Sequence, residues 1–190
     1  MQTVETDTAL QQLADGREAV VRAVERLSEA QLRFTPGPDR WSIADVVEHL
    51  ARVEDFFVQR IAGRLTDLQR PANPGRHIPL HDDQIVEWER DPAQTFVVPG
   101  RVSLGVAPPP IRPSGWPLRE SLARFVKGRE RSEAFVRSTP RLRDFAFEHP
   151  ALGTMDVYQW ALFIAAHTTR HLAQIAAIEL DLRFPCATCF

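Results

Sequence analysis

The stretch VYQWALFIAAHTTRHLAQIAAI, residues 157–178, carries the clearest helical pattern in this 190-residue chain. One stripe recurs at spacings of three and four residues: Val157, Trp160, Ile164, Thr168, Ile175 and Ile178. A helix with a continuous apolar stripe must bury that face against other elements. The pattern therefore predicts a long, core-facing helix that ends before Pro185.

Three earlier segments show the same periodicity. The first runs from Leu10 to Leu27, before the Pro/Gly-rich run TPGPDR. The second opens at Trp41-Ser42, where Ser42 and Asp45 have capping-box spacing, and its apolar face continues to Ile61. The third begins at Pro117, a favoured first helical residue, and runs to Val136. Four helices of roughly 20 residues must bury their stripes against one another, which predicts an all-α four-helix bundle.

A different kind of sequence lies between the second and third predicted helices. From Leu68 to Trp116 the chain holds more than half of its 15 prolines, including Pro108-Pro109-Pro110. Proline removes backbone donors and blocks long helices, so we expect a long crossover here with at most a short helix in HDDQIVEWERD. Insertions of this length serve as lids, binding loops or interface arms.

Composition sets broad limits. A length of 190 residues with 44% hydrophobic content fits a single domain spanning residues 1–190 with a sizeable core. The net charge of −2, with acids and bases interspersed, does not indicate a nucleic-acid partner. No apolar run approaches the ~20 residues of a membrane span, and the acidic start MQTVETDTAL is unlike a signal peptide. We therefore expect a cytoplasmic protein without a membrane partner.

Three histidines fall on the apolar faces of these helices. His167 and His171 are separated by four residues, so their imidazoles lie on one side of the helix about one turn apart. His49 lies on the apolar edge of the second predicted helix, about 60° from Val46. If these two helices face each other, the three rings meet near mid-height, where bundles build metal sites.

The histidines have two interpretations. Each could be a core residue bonded to an ordinary partner, as a single His on an apolar face usually is. An inward pair, however, needs two separate partners unless one ion satisfies both. Three nitrogen ligands suit zinc, nickel or iron(II) and leave coordination positions open. Thr168 stands where the metalloprotease motif H-E-x-x-H has its catalytic Glu, so that reaction is not indicated.

Two motif-bearing segments resemble the DinB-like superfamily of bacterial four-helix bundles, which includes S-transferases that use bacillithiol or mycothiol. They are RFTPGPDRWSIADVVEHL, residues 33–50, and FEHPALGTMDVYQWALFIAAHTTRHLAQI, residues 147–175. The family's metal ligands are one His in W-S-x(6)-H-L and two in H-x-x-x-H, which match His49, His167 and His171. The long segment 68–116 departs from the family pattern and leaves the substrate class open.

The resemblance implies a divalent metal that lowers the pKa of a low-molecular-weight thiol or of water, giving a nucleophile that attacks a small-molecule electrophile. Arg170 would orient an anionic group, or be a solvated surface residue. Asp45 and Glu48 would bond a ligand's outer nitrogen or, as we favour, lie on the solvated face of their helix.

Other polar residues have simpler interpretations. We expect His77, His81 and His149 to be solvated, with His149 in the loop before the last helix and the mouth of a pocket as its alternative. Cys186 and Cys189 have C-x-x-C spacing but no second pair, so we interpret them as part of a tail. The four tryptophans are expected to be packing anchors, because no basic groove accompanies them.

The sequence is compatible with three functions. The first is a metal-dependent transferase that uses a thiol, and the second is a metal-dependent hydrolase on the same three histidines. The third is a non-catalytic stress or binding protein. We also expect a homodimer, because bundles with a surplus apolar face commonly pair.

Overall fold

The computed structural model describes residues 4–62, 80–90, 111–149 and 152–186. Four long helices dominate this part of the chain: α1 Val4–Glu25, α3 Ile43–Ala62, α5 Leu118–Ser138 and α6 Val157–Glu179. Two shorter helices are α2 Glu29–Arg33 and α4 Asp82–Arg90, and a 3₁₀ turn spans Leu142–Asp144. The predicted four-helix architecture is confirmed. None of the described helices combines the length and apolarity that crossing a membrane requires.

Local hydrogen bonds explain where the helices begin. Ser42 and Asp45 form the expected capping box at α3, in which the Ser42 Oγ accepts from the Asp45 N–H at 3.2 Å. The Asp45 carboxylate accepts from the Ser42 N–H at 2.9 Å. Asp156 and Gln159 make the same reciprocal pair at α6. Pro117 is the residue before α5 rather than its first helical residue, one position from the expected start.

The structure adds a hairpin that the sequence analysis did not predict. Strand β1 Ala146–His149 pairs antiparallel with β2 Gly153–Asp156, and His149 lies opposite Gly153. The sequence predicts a loop at His149, but the structure has this residue at the end of β1. The hairpin is too short to show alternation clearly, and all four β2 residues are buried.

The Pro-rich crossover is described only in part. Helix α4 occupies the stretch in which a short helix was expected, and residues 111–117 lead into α5 without regular structure. Residues 63–79 and 91–110, including His77 and the triple proline, lie outside the described residues.

Helix packing produces two apolar clusters at different heights. Helix α3 packs chiefly against α5, α1 against α6, and α4 also lies on α6. One cluster joins the hairpin and α4 to the long helices, through residues such as Leu13, Phe57 and Ile164. The second cluster is formed by apolar residues on other turns of the long helices, including Val20 and Phe125.

A buried polar layer occupies positions between these clusters along the long helices. Arg129 on α5 is fully buried, and its guanidinium bonds the Glu54 carboxylate of α3 at 2.7 Å. The same guanidinium donates to the Leu13 carbonyl of α1 at 3.0 Å and to the Thr168 Oγ of α6 at 2.7 Å. Glu54 also accepts from the Ser132 hydroxyl at 2.7 Å. One arginine therefore contacts all four long helices.

Two glycines leave room for this layer. A Cβ at Gly128 would lie 2.8 Å from the Glu54 Cβ, which is closer than such atoms approach. A Cβ at Gly16 would lie 3.3 Å from both the Arg129 Nη1 and the Thr168 Cγ2. Glycine at these positions lets α5 and α1 come close enough for the polar groups to meet.

Removing one partner of the buried ion pair should strongly destabilise the fold. Glu54→Ala leaves the Arg129 charge buried without a carboxylate, which costs about 3–5 kcal/mol in unfolding free energy. Replacing both residues, as Glu54→Leu with Arg129→Met, should recover most of that loss. Urea denaturation followed by circular dichroism measures both effects.

The exposed Glu18 of α1, paired with Arg22, is the control for this experiment. Glu18→Ala should change the unfolding free energy by no more than about 0.5 kcal/mol. A Glu54→Ala variant with the same unfolding free energy as this control would show that the polar layer does not stabilise the packing of the helices.

Candidate metal centre

The three histidines singled out in the sequence meet between α3 and α6. His49 of α3 and His167 and His171 of α6 are all buried, with exposed fractions of 4–7%. The Nε2 atoms of His49 and His167 are 3.1 Å apart. The centroid of the His171 ring lies 4.7 Å from that of His49 and 4.6 Å from that of His167. One ring nitrogen from each of the three residues lies within 4.8 Å of the other two.

In each histidine, the Nδ1 atom lies within hydrogen-bonding distance of an oxygen atom outside the cluster. The Nδ1 of His49 is 2.7 Å from the Ile111 carbonyl. The Nδ1 of His167 is 3.1 Å from the Glu89 carboxylate, and that of His171 is 2.8 Å from the Gln174 side-chain oxygen. A carbonyl or carboxylate oxygen accepts a hydrogen bond from an N–H group, so these contacts favour the Nδ1–H tautomer in each ring. The Nε2 lone pairs then face one another.

This arrangement fits a cation better than it fits three ordinary core histidines. In the described part of the chain, the buried His171 Nε2 has no hydrogen-bond partner. Two unprotonated nitrogens 3.1 Å apart repel unless a proton or a cation lies between them. Nitrogens bound tetrahedrally at zinc distances are about 3.3 Å apart. An unpartnered buried nitrogen, and one pair of nitrogens at a metal-bound spacing, are features that a three-nitrogen metal site requires.

The electrostatic surroundings keep the imidazoles neutral. Burial, with a further contribution from His167, lowers the pKa of His49 to about 4. Burial lowers the pKa of His167 to about 3, and burial together with the other two rings lowers that of His171 to about 2. Neutral imidazole is the form that binds metal ions. The three lone pairs are therefore available at physiological pH.

Glu89 of α4 is a site residue that the sequence analysis missed. Its carboxylate is 1% exposed and lies between the His167 ring and the Arg170 guanidinium, 3.5 Å from the Arg170 Nε. Burial raises the pKa of Glu89 to about 7, against the opposing effect of Arg170. A signal was present, because Glu89 follows the buried Ile85 by four residues and so shares its face of α4. Arg170 is partly exposed and pairs with Glu89, so it is not simply a solvated arginine.

Glu48 corrects one expectation of the sequence analysis. We expected it on the solvated face of its helix, but it is 1% exposed. Its carboxylate accepts hydrogen bonds from the backbone of the segment that returns from the crossover, at Ser114, Gly115 and Trp116. Glu48 does lie on the side of α3 away from the apolar stripe, but the returning segment covers that side. Asp45 is half-buried and serves in the helix cap rather than behind a ligand.

Aromatic rings surround the histidine cluster. Trp41 lies 4.9 Å from the His49 ring and stacks on His171 at 6.2 Å, and Phe163 stacks on His167 at 5.9 Å. His149 packs 4.7 Å from Phe163 and is half-buried, so the expectation that it is solvated was wrong. Its Nδ1 accepts a hydrogen bond from the Leu152 N–H at 3.0 Å. These rings give the site apolar walls.

The remaining candidates lie outside this cluster. His81 is exposed, as expected. Cys186 is exposed beyond the end of α6, and Cys189 lies outside the described residues. Among the residues that the structure describes, the grouping able to hold a metal consists of the three histidines alone.

Comparisons with known proteins agree with this architecture. A model of the DinB superfamily matches residues 12–175. The uncharacterized protein YuaE of Bacillus subtilis (strain 168) is 25% identical over 165 residues, covering 80% of this chain and 86% of YuaE. The solved structure of YfiT from Bacillus subtilis, described as "a probable metal-dependent hydrolase with an unusual four-helix bundle topology", aligns with a TM-score of 0.61. That alignment covers 94% of this chain and 88% of YfiT at 18% identity, a level that establishes likeness of fold. Because the family model spans most of the chain, the protein belongs to the DinB superfamily.

Proposed function

We propose that this protein binds one divalent transition metal through the Nε2 atoms of His49, His167 and His171. The observation that carries the proposal is the orientation of the rings: every Nδ1 faces an oxygen outside the cluster, and the His171 Nε2 is buried without a partner among the described residues. Zinc, nickel and iron(II) all accept three nitrogen ligands of this kind.

The reaction that this site supports best is activation of a nucleophile. A divalent ion held by three neutral imidazoles would supply positive charge and so lower the pKa of a thiol or water bound to it. The protein's own groups hold the ligand rings in one tautomer and keep bulk water away with Trp41 and Phe163. We favour a low-molecular-weight thiol as the nucleophile and a small electrophile as its partner, that is, a thiol-dependent transferase.

A hydrolase on the same three histidines is the second candidate. It is favoured by the likeness of fold to YfiT, which is described as a probable metal-dependent hydrolase. Water would replace the thiol as the nucleophile, with the ligand set unchanged. A binding protein without turnover is the outcome if neither nucleophile supports a reaction.

The extent of the domain is also a proposal. We propose one domain over residues 1–190, in which the crossover of about 68–116 is an elaboration of the bundle. A homodimer and a cytoplasmic location stay predictions from the sequence.

Removal of a ligand should abolish metal binding without unfolding the protein. We expect the wild-type protein to carry about one divalent ion per chain after purification, and His171→Ala to carry almost none, because two nitrogens hold a divalent ion far more weakly than three. Elemental analysis measures the metal content, and circular dichroism checks the helices.

His81→Ala is the matched control, since it removes an exposed histidine of the same chain. It should keep the full metal content. An unchanged metal content in His171→Ala would contradict the proposed site.

The nucleophile can be identified by turnover assays on the metal-loaded protein. A transferase should convert electrophilic substrates only when a low-molecular-weight thiol such as cysteine, bacillithiol or mycothiol is added. The His171→Ala protein should lose that rate, since the metal is what lowers the pKa of the thiol. Turnover with water alone would instead establish the hydrolase, and no turnover with either would leave a metal-binding protein.

A further inference from the structure

We propose that Glu48 is a positioning residue for His49, acting through segment 111–116 of the crossover. Its carboxylate clamps this segment against α3, and the clamped segment in turn holds the Ile111 carbonyl on the His49 Nδ1. The inference deepens the proposed metal site and rests on it only for the effect on metal affinity. The effect on the His49 ring follows from the contacts alone.

Three of the five donors to the Glu48 carboxylate are backbone N–H groups. One Glu48 oxygen accepts from the Ser114 N–H at 2.6 Å and from the Ser114 hydroxyl at 3.0 Å. The other accepts from the N–H groups of Gly115 and Trp116, both at 2.8 Å. Arg52 adds a fifth bond at 2.8 Å. Three successive N–H groups of a segment without regular structure thus converge on one carboxylate, which is a strong charge-assisted arrangement.

Side chains reinforce the same contact. Two guanidinium groups lie over the Trp116 ring, that of Arg52 at 4.4 Å from the ring centroid and that of Arg124 at 4.3 Å. Arg52 also donates to the Ser114 hydroxyl. Residues of both α3 and α5 therefore contact the segment. Gly115 has φ +91°, a backbone conformation that suits glycine and turns successive N–H groups toward the carboxylate.

The clamp and the ligand are coupled through consecutive residues of α3. Glu48 holds the segment at residues 114–116, and His49 meets the same segment at Ile111, three residues before the first clamped amide. Burial opposes ionisation of Glu48, yet the bonds from the segment and from Arg52 together lower its pKa to about 2. Without the carboxylate, three N–H groups would have to turn to water, since Ser114 and Gly115 are exposed. The segment would then leave its place, and the Ile111 carbonyl would leave with it.

The coupling should act in both directions. Metal on the Nε2 of His49 requires the proton on Nδ1, which is the form that donates to the Ile111 carbonyl. A metal ion therefore strengthens the same hydrogen bond that the clamp maintains. By linkage, metal binding should stabilise the docked segment by as much as the docked segment increases metal affinity.

The test compares Glu48→Ala and Glu48→Gln with the wild-type protein. In the metal-free protein, long-range ¹H–¹⁵N spectra of the imidazoles should show His49 as the Nδ1–H tautomer, and Glu48→Ala should shift it toward a mixture. Amide exchange at Ser114, Gly115 and Trp116 should accelerate. Metal affinity, measured by chelator competition, should fall about 10- to 100-fold, the range for loss of an outer hydrogen-bond partner. Glu48→Gln keeps one acceptor oxygen, so all three effects should be smaller.

Glu18→Ala is the matched control, because Glu18 is also a helical glutamate paired with an arginine four residues later. It should leave the tautomer, the amide exchange and the metal affinity unchanged. If Glu48→Ala does not fold, Glu48→Gln alone decides the question.

The outcomes separate the two proposals. A folded Glu48 variant with an unchanged His49 tautomer and unchanged metal affinity would overturn the positioning role of Glu48. It would not affect the proposal of the metal site. The wild-type protein could bind no metal while the His49 tautomer still shifts on loss of Glu48. That result would overturn the proposed function but support the positioning role of Glu48.

Discussion

The buried charge of Arg129 is the constraint on which the rest of the fold depends. A guanidinium without water must find a carboxylate and further acceptors, or its burial costs several kcal/mol. Glu54, Leu13 and Thr168 supply these from three different helices, so the four long helices have one relative height at which the layer closes. Thr168 adjoins His167 on α6, and Glu54 lies on α3 beyond His49. The same layer therefore places the two ligand-bearing helices at a defined height.

The crossover completes the site that the bundle begins. Two of the three oxygens behind the histidines come from it, the Glu89 carboxylate on α4 and the Ile111 carbonyl. The third, from Gln174, comes from α6 itself. The long insertion thus contributes to the orientation of the ligand rings. Outer partners of this kind determine which nitrogen is free to bind a metal.

Much of the site could be predicted from sequence, because helical periodicity is local. The spacing of His167 and His171 and the rotation of His49 relative to Val46 placed three rings toward the interior, where the structure has them. The same reasoning failed for Glu48, which lies on the side of α3 that faces away from the apolar stripe. A residue on that side is solvated only if no other segment covers it, and periodicity carries no information about a segment more than 60 residues away. His149 is half-buried for a different reason, because Trp160 and Phe163 of the nearby helix α6 pack against its ring.

The sequence by itself determined the helical class, the approximate bounds of α3, α5 and α6, and the inward side chains, since these follow from spacings of three and four residues along the chain. It missed the first six residues of α1, which begins at Val4 rather than Leu10. Tertiary structure alone decided that α3 packs chiefly on α5, that a hairpin covers the start of α6, and that Glu48 and Glu89 are buried. It also decided which nitrogen of each histidine faces the others. These outcomes depend on contacts between residues far apart in the chain, whose energies no local pattern records.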